Sequence, residues 1–155
     1  MTVTEIQRKV VTAASCYFKL VLIAGGRDDD RSRALLQYSR SIDVKPLSVG
    51  IRVAGSLLSS PNRRRPVVAV EEFQRAVDGQ DAAGVILLDH LNVLFLPELQ
   101  LDPLKLLLDS ARNRVVVANW PGVFKEQRLE YAFSGHPEHG SWSAQDCSIV
   151  EMMQE

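Results

Sequence analysis

FKLVLIAGGRDDDRSRALL, residues 18–36, runs from a nearly unbroken apolar segment through two glycines and three aspartates into a helical pattern at Ala34, Leu35 and Leu36. Residues 18–24 predict a strand covered by helices on both faces, since a strand with one wet face would alternate polar and apolar side chains. A helix is predicted over 31–40. The result is strand, loop and helix in the order of a phosphate-binding loop. Gly25 and Ser32 hold the outer positions of GxxxxGK[ST], but Asp30 stands at the expected glycine and Arg31 at the expected lysine.

That exchange alters the chemistry. A polyphosphate loop turns backbone N–H groups and an ammonium towards oxyanions. Asp30 adds a Cβ where the backbone favours positive φ, and a negative charge beside a polyanion. Arg31 offers a planar fork in place of a compact ammonium. Two readings of Asp28, Asp29 and Asp30 follow: carboxylates standing in the phosphate's place, or carboxylates favoured at a helix start by its free N–H groups and positive end.

Outward from this segment, apolar positions at Val3, Ile6, Val10, Ala13, Ala14 and Tyr17 predict an amphipathic helix over 3–17. A short strand is expected around Val44 to Val49, at an edge because of Pro46. A helix over 51–60, a surface loop at SSPNRRRP and a helix over Glu71–Val77 follow. Gly84 to Asp89 and Val115 to Ala118 read as two more buried strands. Between them a helix is predicted over Pro103–Ala111, with Asp102 as N-cap and Pro103 at its first position. A last strand near Leu129 to Phe133 would complete five. Repeated strand and helix units at this spacing predict an α/β, three-layer core with a mostly parallel five-stranded sheet, strand ends and loops gathered on one edge, and the loop at 25–32 makes that core P-loop NTPase-like. One domain is expected over 1–140, with 141–155 as a C-terminal tail, frayed or ending in a short helix at EMMQE.

The chain has 155 residues, 46% hydrophobic, with 18 basic and 19 acidic side chains for a formal net charge of −1. That balance gives no global drive towards nucleic acid or an anionic membrane. No apolar run reaches the length of a membrane span, and the opening MTVTEIQRKV does not read as a secretory signal, so a cytoplasmic location is expected. Cys16 and Cys147 are the only cysteines, which suits reduced thiols rather than a disulfide framework.

Asp89, leaving a strand of four aliphatics, has the context of a Walker B acid, which with Ser32 would hold Mg²⁺ beside a nucleotide; its alternative is an aspartate capping the next loop. His90 follows where a water-activating base is expected. Asn119, at the end of VVVA, is a candidate γ-phosphate sensor or a turn residue before Trp120, Pro121 and Gly122. Arg112 and Arg114 are candidate arginine fingers or ordinary charges at a helix C-terminus. Arg63, Arg64 and Arg65 form the tight basic cluster, a DNA-phosphate contact or a solvated loop. His136, His139 and Cys147, with His90 as a further candidate, invite a metal reading, although their spacing matches no closed zinc pattern.

YFKLVLIAG with its loop, GVILLDHLNVLF, DPLKLLLDSARNR, VVVANWPG and LEYAFSGHPEH together resemble the small P-loop proteins of BREX phage-defence systems, from the N-terminal helix to about residue 140. The resemblance implies an AAA+/ASCE-type nucleotide-binding domain working with other BREX proteins, and with copies of itself as a homo-oligomer, against phage DNA. Carried over by position, Gly25, Arg31 and Ser32 match the Walker A ends, Asp89 the Walker B acid and Asn119 the polar strand end. Relatives with a GxxGSGK[ST] loop would take ATP and Mg²⁺. Asp28, Asp29, Asp30 and Arg31 depart from that loop. The expected protein is therefore a non-catalytic or weakly active assembly component, with an ATP/Mg²⁺ switch or weak ATPase as one alternative and a DNA-binding accessory module as another.

Overall fold

The computed structural model describes residues 2–80, 84–131 and 140–152. In chain order its elements are α1 (Thr2–Ala13), β1 (Leu20–Ala24), α2 (Asp28–Ile42), β2 (Leu47–Ser48), α3 (Val49–Leu58), α4 (Arg65–Asp78), β3 (Val85–Asp89), α5 (Pro103–Ser110), β4 (Val115–Asn119), β5 (Val123–Lys125), β6 (Arg128–Tyr131), β7 (Gly140–Ser143) and β8 (Ser148–Glu151). Short 3₁₀ turns lie at Asn62–Arg64, Leu91–Phe95 and Pro97–Leu99.

Period-2 alternation divides the core into two halves. Leu20, Leu22, Leu88, Val116 and Ala118 face α3, α4 and α5, packing with Val53, Leu57, Phe73 and Leu107. Val21, Ile23, Leu87, Val115 and Val117 face the opposite side, against Ile6 and Val10 of α1 and Leu35 and Tyr38 of α2. The strands are apolar on both faces because helices cover both, which makes this a three-layer α/β fold. The five strands run in the order β2-β3-β4-β1-β8, and every neighbouring pair is parallel.

Most predicted elements are present, with shifted ends. β2 is an edge strand, as Pro46 implied. Asp102 caps α5 by accepting from the Lys105 amide at 3.1 Å. The arginine segment is a 3₁₀ turn leading directly into α4, six residues before the expected helix start.

The fifth strand is a correction. The expected strand at Leu129–Phe133 overlaps β6, which lies in a separate antiparallel sheet, β5-β6-β7, while β8 completes the parallel sheet from within 141–155. RLEY buries only Leu129 fully and so cannot fill a place covered on both faces. SIVE holds an edge beside β1, where one neighbour suffices, and seats Val150 in the core. Residues 132 and 133 of the expected strand lie outside the described residues.

The small sheet is anchored by aromatic rings. Phe95 packs against Trp120, Tyr131 and Trp142 at centroid separations of 5.1, 4.2 and 5.6 Å. The buried Trp120 indole donates to the Glu130 carbonyl at 3.2 Å. Gly122 lets these backbones meet, because a Cβ there would overlap the Glu130 carbonyl. Since all five main strands are parallel, the ends of β1, β2, β3 and β4 share one edge. Ala24, Ser48, Asp89 and Asn119 come together there.

Candidate functional site

β1 ends in Gly25 and Gly26, at φ 83° and 62°, and Arg27 precedes α2. The connection is three residues long. The helix begins at Asp28, not at residue 31, so the segment expected to curl around phosphate is the first helical turn. Three carboxylates at successive first-turn positions explain the earlier start, being favoured by the helix dipole.

This start rotates Arg31 inward, to 5% exposure. Its Nη1 donates to the carbonyls of Gly25 at 2.8 Å and Gly26 at 3.1 Å. Nε donates to Oδ1 of Asn119 at 2.7 Å, and Nη2 to Oδ1 of Asp28 at 3.1 Å. A phosphate nest presents N–H groups to an anion; here the loop presents carbonyls to a cation. Burial pushes the Arg31 guanidinium down from its ordinary range, opposed by the charge and hydrogen bond of Asp28 and the charge of Asp89. Guanidinium remains charged in proteins, and Arg31 stays a cation.

Asn119 links this centre to the acidic strand end. Parallel register sets Ile23 beside Asn119 and Leu88 beside Ala118, which brings the ends of β1, β4 and β3 together. The Asn119 amide donates to Oδ1 of Asp89 at 2.9 Å, to Oγ of Ser32 at 3.1 Å and to Oδ1 of Asp28 at 3.4 Å. Ser32 donates to Oδ1 of Asp89 at 3.3 Å, and the His90 amide to the same oxygen at 2.8 Å. Gly25, Arg31, Ser32, Asp89 and Asn119, singled out separately in the sequence, thus form one connected polar centre. Asp28 completes it. The standing-in of carboxylates for phosphate is corrected: the group filling the loop is the Arg31 guanidinium, while Asp30 pairs outward with Arg33 at 3.0 Å.

The arrangement does not fit Mg²⁺. Ser32 Oγ and Asp89 Oδ1 bond each other and both face the amide donor of Asn119, with the Arg31 cation in the same network. A divalent ion needs these oxygens free and their neighbours non-donating. Among the described residues, no three or more His, Cys, Asp or Glu side chains gather into a metal-ligating group.

A cleft of about 430 Å³ opens beside this centre. Leu36 and Pro46 form apolar walls, with Ser32, Arg33, Ser48, Asp89 and His90 supplying polar groups. His90 has left-handed backbone, φ 57°, and its Nδ1 lies 2.9 Å from Ser48 Oγ, a pairing that sequence order gave no means of foreseeing.

The remaining candidates stand apart. Arg63 and Arg64 are exposed, whereas Arg65 turns its Nε to the carbonyls of Leu57 and Ser60 at 3.1 and 3.2 Å. Arg112 lies over Tyr17 and Phe18, 5.9 and 6.0 Å from their ring centroids. Arg114 donates to the Val77 carbonyl and pairs with Asp78. His136 and His139 lie outside the described residues. Cys16 and Cys147 are free thiols lining one cleft of about 290 Å³, where burial, with the charge of Asp146, pushes the Cys147 thiol up to about 12. Among the described residues, no helix is long and apolar enough to cross a membrane.

No protein-family model, curated protein or solved structure matches the chain. The geometry itself defines the class: a parallel three-layer α/β domain with a polar centre at its strand ends.

Proposed function

We propose that this chain is a non-catalytic, P-loop-like component of a bacterial BREX phage-defence complex, acting in the cytoplasm through protein–protein assembly. The observation that carries the non-catalytic part is the Arg31 guanidinium held by the Gly25 and Gly26 carbonyls where a phosphate-binding loop would present N–H groups. Assignment to the AAA+/ASCE type is supported by β4 lying between the loop strand β1 and the acidic strand β3. The BREX assignment rests on the sequence segments that resemble those proteins.

Titration of the whole chain with ATP and Mg²⁺ by calorimetry tests the first part. No saturable heat at millimolar nucleotide is expected. Co-expression with the other proteins of a BREX system, followed by size-exclusion chromatography, tests the second; co-elution with at least one is expected, and separate elution from all of them would remove the assembly role. One observation favours a second reading, an ATP-gated switch: Ser32, Asp89 and Asn119 do converge. That switch requires Arg31 to leave the loop. Saturable nucleotide binding lost in Asp89→Ala would establish it in place of the scaffold.

A further inference from the structure

The cleft between α2 and the ends of β2 and β3 contains one acceptor that the polar centre does not use. Asp89 is 8% exposed, and its Oδ1 takes the bonds from Ser32, His90 and Asn119. Among the described residues, none donates to its Oδ2. No fully buried side-chain oxygen is left without a partner among those residues either, so Oδ2 is open to the cleft that Asp89 lines. A carboxylate oxygen in a largely desolvated setting gains strongly from a charged donor.

The local charge has the same sense. Asp28 and Asp89 bring two negative charges to the network, and Arg31 brings one positive charge. Arg33, which also lines the cleft, has its charge offset by Asp30 at 3.0 Å. Beyond the carboxylate, Leu36 and Pro46 offer apolar walls for a hydrocarbon stem, and the Ser48 hydroxyl beside them is engaged by the Ile51 amide and His90 Nδ1.

The geometry points to a binding site in this cleft for a guanidinium or ammonium group on an apolar stem, with the cation on Asp89 Oδ2 and the stem along Leu36 and Pro46. The charge is carried by an organic cation. A free alkylguanidine and an arginine or lysine side chain of a partner polypeptide share this chemistry. The site does not rest on the BREX assignment; it shares Asp89 with the nucleotide-switch reading, but its occupant takes neither the loop nor a phosphate.

The test is NMR titration of the ¹⁵N-labelled full chain with butylguanidinium and with its neutral isostere butylurea. Saturable shifts at Ser32, Ser48 and His90 are expected with the cation, at least about tenfold weaker with the urea, because one charged bond to a buried carboxylate is worth about 1.4 kcal/mol or more. Arg33→Ala should bind at least as well as the native chain. Equal response to the neutral isostere, shifts scattered over the acidic surface, loss of binding in Arg33→Ala, or the same shifts from Mg²⁺ alone would overturn the proposal. Asp89→Asn should abolish saturation; since Asp89 also holds Asn119, the comparison of cation and isostere on the native chain carries the test by itself. A short peptide with arginine between leucines separates the sources: tighter binding than butylguanidinium identifies a partner side chain, and equal binding a free small molecule.

Discussion

Arg31 and Arg64 carry the same guanidinium and have opposite fates. Arg31, three residues into α2, is buried and makes four hydrogen bonds within the polar centre. Arg64, in the turn before α4, is exposed in a tight basic cluster. The cysteines repeat the contrast, with Cys16 exposed and Cys147 largely covered. A side chain's chemical type sets what it can do, but its distance from a buried strand end decides what it does. An arginine at the mouth of a parallel sheet must find acceptors or lose its hydration without recompense.

The largest effect that would break this comparison is expected from Arg31→Met. The change leaves Asp28, Asn119 and two glycine carbonyls without their shared donor and Asp89 without its neighbouring cation, and a loss of about 3–5 kcal/mol is expected. Urea unfolding monitored by circular dichroism measures it; a loss below about 1 kcal/mol would mean that Arg31 is no more than a surface arginine. Asn119→Ala comes next, because among the described residues Asn119 is the one side chain that bonds both Arg31 and Asp89. A loss of about 1–3 kcal/mol is expected in the same assay.

The cysteine pair predicts a smaller, pH-dependent difference. The Cys147 thiol is raised from 9.0 to about 12 in the fold, so above pH 9 the unfolded chain releases a proton that the native chain keeps. The unfolded state then binds fewer protons, and stability falls as pH rises towards 12. The slope is at most about 1.4 kcal/mol per pH unit, and Cys147→Ala should flatten it while Cys16→Ala does not. The smallest effect belongs to the arginine turn. Replacing Arg63 and Arg64 together by alanine should change stability by no more than about 0.5 kcal/mol. A larger loss in the same unfolding assay would show that these arginines also hold the fold. Salt-dependent DNA binding that survives their replacement would remove the DNA reading of this turn.

Much of the architecture was legible in the chain. Continuous apolar runs at 20–24, 85–88 and 115–118 mark strands covered on both faces, and Asp102 with Pro103 marks a helix start. The members of the polar centre were legible too, because each stands at a strand end or just inside the following helix. Their relation was not. A shift of one helical turn in the start of α2 decides whether residues 28–30 cradle a ligand or continue a helix, and aspartate suits both outcomes. The fifth strand was misplaced for a related reason. SIVE is short and half polar, and only pairing with β1 makes it a strand.

Local patterns therefore determined the α/β class, most elements and the residues gathered at the sheet edge, since burial on one or two faces imposes a period that the chain must obey. The three-dimensional arrangement alone decided that Arg31 fills its own loop, that Asp89 keeps one oxygen towards a cleft, and that β8 rather than β6 closes the sheet. The strand and the carboxylate depend on contacts between segments tens of residues apart, and Arg31 on its bond to Asn119 as well as on the glycines beside it. Their geometry follows from parallel register and from the angle at which one helix begins, neither of which a local pattern encodes.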